Sequence, residues 1–217
     1  MGIEKNPADF LPSDVEAVVA SEWNYAARYN RQSEPRAILL AGQPGAGKTV
    51  LSSMLNKLLC GNVYFINADE YRRFHPNYKE LYARYGSDSV QMTSGFSGAV
   101  TERLIHETSE RGIHLIIEGT GRTTDVPHRT AELLVKKGYR VELAVIATRP
   151  EHSLCSTLLR FYEMNERGTI PRATAMEAHD YVVRVLPDNL DILRDDPVIS
   201  GITIWDRTPI ACSIHFI

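Results

Sequence analysis

The sequence has few cysteines, and they follow no recognisable pattern. Cys60, Cys155 and Cys212 are scattered over 217 residues, with no CxxC pair and no Cys/His spacing typical of a zinc site. This distribution excludes a disulfide framework. It predicts buried thiols in a reducing compartment.

The chain also lacks the segments that mark exported, membrane-spanning or nucleic-acid-binding proteins. Its longest apolar runs, such as residues 113–117 and 143–147, are as long as a strand and too short to cross a bilayer. Glu4, Lys5 and Asp9 interrupt any signal-peptide core. The formal net charge of −3 gives no general attraction to nucleic acid. We therefore expect a cytoplasmic protein that binds neither membrane nor nucleic acid.

Strand-like and helical patterns alternate along most of the chain. We predict strands at residues 37–41, 63–66, 113–118, 141–147, 202–205 and 212–216. Helices are predicted at residues 13–30, 50–59, 97–111, 125–137, 151–166 and 173–194. Ser13 and Glu16 are spaced as a capping box for the first helix, and residues 71–86 form a polar, aromatic-rich stretch. The alternation predicts an α/β fold, in which a parallel sheet is flanked by helices on both faces.

A glycine-rich loop follows the first predicted strand. It consists of Gly42, Gln43, Pro44, Gly45, Ala46, Gly47, Lys48 and Thr49. The loop matches the P-loop pattern in its required context, between a strand and a helix. Lys48 is expected to reach the β- and γ-phosphates of a nucleoside triphosphate, and the Thr49 hydroxyl to ligate Mg²⁺. Glu118, at the end of the third strand, is a second candidate ligand. A plain glycine-rich turn is the alternative.

Other features favour a small-molecule kinase among the P-loop proteins. Asn56 and Lys57 are not followed by the Asp that a guanine-reading motif requires, and Glu118 replaces the Asp of a conventional Walker B strand. No second domain or coupling repeat is evident. We expect a single P-loop kinase domain over residues 1–217, with residues 1–35 as an N-terminal helical extension packed on it.

A kinase needs a base near the acceptor hydroxyl, and Asp69 is the leading candidate because it follows the second strand at the phosphate edge. The alternative is an Asp that caps the next helical turn. Thr120 and Arg122 follow the third strand at the same edge and suit a sugar or phosphate surface. The alternative there is a loop in which Thr124 or Asp125 is a helix cap.

Arginines that could hold the moving phosphoryl oxygens lie late in the chain. Arg160 is in a predicted helix, and Arg172 is in the break that follows it. Spacing alone does not select these two over Arg149 or Arg167.

The motifs together resemble the zeta toxins, the kinase components of epsilon/zeta and Pez-type toxin–antitoxin systems. The resemblance covers roughly residues 37–193. It is carried by the P-loop, by residues 67–69 and 75–77, by 172–174 with 179–180, and by 186–190. The run Glu118, Gly119, Thr120, Gly121, Arg122, Thr123, Thr124 and Asp125 is its most specific part.

The resemblance implies a reaction and roles for individual residues. The family phosphorylates the 3′-hydroxyl of the amino sugar in UDP-N-acetylglucosamine with ATP or GTP, which blocks cell-wall precursor synthesis. A separate antitoxin chain is implied as partner. By position, Asp69 resembles the base, and Arg160 and Arg172 resemble the pair that closes over the phosphates. The implied substrate contacts are Glu102, Thr120, Arg122 and Thr130.

Two departures from the family pattern and two other functions stay open at this point. The segment between Arg160 and Arg172 is about one residue shorter than the pattern, and Asn67 replaces an Asp that often precedes the base. Other candidates are a P-loop kinase with another hydroxyl acceptor, or a non-catalytic nucleotide-binding regulator.

Overall fold

The computed structural model describes residues 6–171, 173–207 and 215–216, the last two as backbone. The strands are β1 (Arg36–Ala41), β2 (Val63–Asn67), β3 (His114–Glu118), β4 (Arg140–Ala147), β5 (Ile202–Asp206) and β6 (His215–Phe216). The helices are α1 (Pro12–Ala26), α2 (Lys48–Leu58), α3 (Ala68–Tyr71), α4 (Tyr78–Tyr85), α5 (Ser89–Met92), α6 (Ser94–Glu110), α7 (Asp125–Lys136), α8 (Pro150–Glu166) and α9 (Met176–Arg194).

One sheet organises the chain, with strand order β2-β3-β1-β4-β5-β6. Strands β1 to β5 are parallel, and β6 is antiparallel to β5. Because parallel strands run in one direction, the loops after β1, β2, β3 and β5 all leave from the same edge. The predicted fold is confirmed: a parallel sheet flanked by helices.

The two faces of the sheet are covered by separate cores, which explains the unbroken apolar sequence of β1. Ala37, Leu39 and Ala41 belong to the larger core, which is built mainly with α1, α6, α7 and α9. Ile38 and Leu40 face the smaller core, which includes apolar residues of α2. Full burial of each large aliphatic side chain contributes about 1.5–3 kcal/mol.

The N-terminal helix α1 packs against the core through Val15, Val18 and Val19. The predicted capping box at Ser13 is wrong, because the helix already begins at Pro12, a favoured first position. Asp14 instead reaches back, and its Oδ2 accepts from the Leu11 N–H at 2.7 Å. The prediction of one domain over residues 1–217 stays a prediction.

Some sequence predictions missed an element or an environment. The stretch predicted as polar and aromatic contains α4, whose Leu81 is fully buried. Cys60 and Cys155 are exposed, so the prediction of buried thiols is wrong for both, while Cys212 lies outside the described residues. The predicted closing strand at 212–216 is seen at His215 and Phe216, and its other residues lie outside the described part. Of the helices in the described chain, none has both the length and the apolarity to span a membrane.

Candidate functional site

The P-loop connects β1 to α2, and its glycines adopt conformations that other residues resist. Gly45 and Gly47 have φ angles of +76° and +107°, in the left-handed region. A Cβ on Gly45 would overlap the Ser153 carbonyl oxygen of α8. The loop therefore lies directly against α8, and Gly47 gives way to Lys48, the first residue of α2. Backbone N–H groups at such a helix start form an anion site.

Lys48 is the central cation of the site. Its Nζ donates to the Gly42 carbonyl at 2.8 Å and to the Gln43 carbonyl at 3.2 Å, and lies 3.9 Å from Glu118 Oε1. Desolvation lowers the pKa of the Lys48 ammonium, while the charges of Glu118 and Asp69 oppose that shift. The negative charges of Glu118 and Asp69 thus favour the protonated form of Lys48, and phosphate oxygens would favour it further.

Strand register brings Asn67, Glu118 and the end of β1 side by side. Glu118 pairs with Asn67 on β2 and with Leu40 on β1. The Asn67 amide Nδ2 donates to Glu118 Oε2 at 3.1 Å, and its Oδ1 accepts from the Asp69 N–H at 3.0 Å. Asn67 is therefore the N-cap of α3, and Asp69 is not. The capping alternative for the Asp69 side chain is thereby removed.

The Asp69 carboxylate is held by a residue that the sequence analysis missed. Arg72 Nε donates to Asp69 Oδ1 at 2.9 Å. Arg72 Nη1 donates to the Val90 carbonyl at 2.6 Å and to Thr93 Oγ1 at 3.3 Å. The three-residue spacing of Asp69 and Arg72, across the end of α3, was the available signal.

A cavity of about 160 Å³ lies over the P-loop. Its lining consists of Gly45, Ala46, Gly47, Lys48, Thr49, Glu118, Ser156, Arg160 and Arg207. The structure thus brings together Lys48, Thr49, Glu118 and Arg160, all predicted as site residues. Arg172 lies outside the described residues, and its role stays a prediction.

Arg207 is a second residue that the sequence analysis missed. It comes directly after β5, and its Nη1 donates to Ser156 Oγ on α8 at 2.8 Å. The available signal was a basic residue just past the carboxyl end of a predicted strand.

A buried polar chain ties the P-loop to α8 and α9. Gln43 Nε2 donates to the Thr148 carbonyl at 2.7 Å and to Ser153 Oγ at 3.3 Å. Ser153 Oγ lies 2.8 Å from His179 Nε2, and His179 Nδ1 lies 2.8 Å from Asp180 Oδ1. Because Gln43, Ser153 and His179 are all buried, these bonds fix the position of the helix that carries Arg160.

The four predicted substrate contacts lie on neighbouring elements. Glu102 is exposed on α6, Arg122 is exposed in the loop after β3, and Thr130 is half-buried on α7. Thr120 stands beside the P-loop, since its carbonyl accepts from the Gly42 N–H at 3.2 Å. The four are described residues, and none of them lines the phosphate cavity.

Helix α9 fixes the loop that carries Thr120 and Arg122. Asn189 Nδ2 donates to the Gly121 carbonyl at 2.8 Å. A Cβ on Gly121 would come within 2.5 Å of Leu186 Cδ1. The loop after β3 and helix α9 are therefore in close contact.

The oxygen donors present fit Mg²⁺ bound jointly with phosphate. Thr49 is exposed at the start of α2, and Glu118 presents a carboxylate in the same cavity. Across the described chain, no three His, Cys, Asp or Glu side chains are grouped to hold a metal by themselves. Mg²⁺ commonly takes one or two protein oxygens together with phosphate oxygens and water. Thr49 is the residue that would hold it, with Glu118 in the lining of the same cavity.

The relatives that comparison with known proteins finds agree with one another. The sequence model of the family described as Zeta toxin matches residues 20–215. Toxin PezT of Streptococcus pneumoniae is 42% identical over 92% of this chain and 79% of its own length. Toxin zeta of Streptococcus pyogenes is 41% identical over 80% of this chain. This chain spans only 61% of that toxin's length.

Solved structures agree with these sequence matches. A structure from the PezAT toxin–antitoxin system of Streptococcus pneumoniae superposes with a TM-score of 0.84 at 39% identity, covering 94% of this chain and 80% of that one. The AvrRxo1-ORF1:AvrRxo1-ORF2 complex with ATP superposes with a TM-score of 0.62 at 16% identity. That match covers 98% of this chain and 68% of the other, and it shows a shared fold alone.

Proposed function

This chain belongs to the zeta toxin family, and we propose that it is a toxin-type kinase for a UDP-amino sugar. It transfers the γ-phosphoryl group of ATP (or GTP) to the 3′-hydroxyl of the amino sugar in UDP-N-acetylglucosamine or a related UDP-sugar. Such a reaction removes a precursor of the cell wall. Mg²⁺ is its cofactor.

One observation carries the proposal: a candidate base and a phosphate-binding lysine converge at one edge of the sheet. Lys48 begins the helix after β1, and Asp69 lies two residues past the end of β2. Asn67, the last residue of β2, bonds to both Glu118 Oε2 and the Asp69 N–H. Glu118 Oε1 on β3, between those strands, lies 3.9 Å from Lys48 Nζ.

The residues support an in-line transfer. Asp69 accepts the proton of the acceptor hydroxyl, and that oxygen forms a bond to the γ-phosphorus. The bond from the γ-phosphorus to its bridging oxygen breaks, and the nucleoside diphosphate leaves. Lys48 and Arg160 stabilise the charge on the moving phosphoryl oxygens, and Arg172 is the second arginine proposed for this role. Mg²⁺, held at Thr49, would neutralise charge on the β- and γ-phosphates.

The acceptor side is proposed to be formed by Glu102, Thr120, Arg122 and Thr130. Support comes from the placement of Thr120 beside the P-loop and from the contact that fixes its loop to α9. Exposed Arg122 offers a charged group for the diphosphate of a UDP-sugar.

The test is incubation with ATP, Mg²⁺ and UDP-N-acetylglucosamine, followed by mass spectrometry of the sugar. We expect a product heavier by one phosphoryl group, and its loss in Asp69→Asn with ATP binding retained. Asp195→Asn is the matched control, because this carboxylate is exposed at the far end of α9. An unmodified sugar with intact ATP would refute the reaction, and equal turnover in Asp69→Asn would remove Asp69 from it.

We further propose that a separate antitoxin chain silences this kinase. Support comes from the similarity to a toxin of the PezAT toxin–antitoxin system. Co-expression with the product of the adjacent reading frame should give a stable complex without kinase activity. A fully active kinase in that co-expression would contradict the proposal.

A further inference from the structure

Arg207 contributes a positive charge to the phosphate cavity from the carboxyl end of β5. The side chain lines the cavity over the P-loop. Its Cδ and Nε would lie 3.9 Å from a Cβ built on Gly47, so the aliphatic stem passes along the loop. The bond from Nη1 to Ser156 Oγ anchors the guanidinium to α8, and it uses one of the five N–H donors of the group.

The strand order shows from which side of β1 each residue approaches the P-loop. Asp69 follows β2 and Glu118 is the last residue of β3, and both strands lie on one side of β1. Arg207 follows β5, which lies on the other side of β1 beyond β4. The candidate base and Arg207 therefore approach the P-loop from opposite sides.

This arrangement determines which phosphates each group meets. In the proposed reaction the γ-phosphoryl group faces the acceptor and Asp69. The part of the nucleotide that stays behind after transfer must then extend toward β4 and β5. Arg207 stands there, beside the loop that cradles the phosphates.

We infer that Arg207 binds the non-transferred phosphates of the nucleoside triphosphate and retains them in the diphosphate product. Ser156 orients the guanidinium for this contact. The inference deepens the proposed function and rests on it for the direction in which the γ-phosphoryl group points. Arg160 lines the same cavity from α8, and in the proposed reaction it serves the transferred group.

Binding measurements without any acceptor sugar test whether Arg207 and Arg160 contact different phosphates. Titration calorimetry with ATP and with ADP, each with Mg²⁺, is compared among wild type, Arg207→Gln, Ser156→Ala and Arg160→Gln. Loss of a charge-assisted hydrogen bond is expected to weaken binding about tenfold. For Arg207→Gln we expect this loss for both nucleotides alike. Ser156→Ala should show a smaller loss of the same pattern, and Arg160→Gln a loss for ATP that exceeds its loss for ADP.

The matched control is Arg140→Gln, which removes the same charge at the amino end of β4, on the opposite edge of the sheet. It should bind both nucleotides like wild type. Unchanged ADP affinity in Arg207→Gln would overturn the inference, and so would a wild type that binds neither nucleotide. Because no sugar is present, a failure to phosphorylate UDP-N-acetylglucosamine refutes the proposed function alone and leaves this result standing.

Discussion

Arg72 holds the carboxylate of Asp69 at 2.9 Å and is itself fixed to the α5–α6 junction through the Val90 carbonyl and Thr93 Oγ1. The arginine is the more buried partner, with side-chain exposures of 17% for Arg72 and 48% for Asp69. The more buried Arg72 side chain therefore fixes the orientation of the exposed Asp69 carboxylate. In the proposed reaction, Arg72 is a positioning residue for the base.

Replacement of Arg72 should impair turnover and spare nucleotide binding. For Arg72→Gln we expect kcat to fall about tenfold or more, because a misplaced base loses alignment with the hydroxyl. The KM for ATP should change little, and Arg72→Lys should recover part of kcat. Steady-state kinetics with both substrates varied gives these values.

The neighbouring arginine provides the control for that experiment. Arg73 stacks on the Phe74 ring, with its guanidinium carbon 4.8 Å from the ring centroid. Arg73→Gln should leave kcat near the wild-type value. Equal losses in the two variants, or a loss confined to the KM for ATP, would contradict a positioning role for Arg72.

The sequence could predict the P-loop and the ends of β2 and β3 because these signals are local. A strand, a glycine-rich loop and a helix start follow one another within a few residues, as they do from β1 to Lys48. Glu118 was found for the same reason, as the last residue of an apolar run.

The missed features depend on distant parts of the chain. The Arg72 anchor at Val90 and Thr93 and the Arg207 contact with Ser156 join elements that only the fold brings together. Whether Cys60 and Cys155 are buried likewise depends on which other elements pack against them. The number and spacing of the cysteines do not specify that packing.

Lys48 should take up a proton when nucleotide binds at a pH between its pKa in the free protein and its pKa in the complex. Desolvation places the pKa of free Lys48 below the ordinary lysine value of 10.5, and bound phosphates would raise it again. At a pH between the pKa of free Lys48 and its pKa in the complex, Lys48 is neutral in the free protein and protonated in the complex. Binding then takes up a proton, so ATP affinity falls as pH rises through this window. Calorimetry in two buffers of different ionisation enthalpy measures the uptake.

Two arginine variants identify the group responsible. Lys48→Arg should abolish the uptake, because a guanidinium stays protonated throughout the accessible pH range. Lys57→Arg, on the exposed side of α2, should behave like wild type. Proton uptake that persists in Lys48→Arg would assign it to another group.

Gly45 and Gly138 form a matched pair for testing how the P-loop is seated. Their φ angles are similar, +76° and +83°, but a Cβ on Gly138 has no heavy atom within 4 Å, whereas one on Gly45 would overlap the Ser153 carbonyl. Gly138→Ala should cost about 1 kcal/mol of unfolding free energy from the left-handed backbone alone. Gly45→Ala should cost about 3 kcal/mol or more, since the α8 backbone must also move.

The two variants should also differ in nucleotide binding. Displacement of α8 moves Ser156 and Arg160, which line the phosphate cavity, so Gly45→Ala should lose ATP affinity as well as stability. Gly138→Ala should keep its affinity, because the residue lies in the α7–β4 connection at the other edge of the sheet. Urea denaturation and ATP titration measure the two effects. Equal stability losses would show that the overlap with Ser153 is relieved by a small local shift, and that the P-loop does not depend on a tight contact with α8.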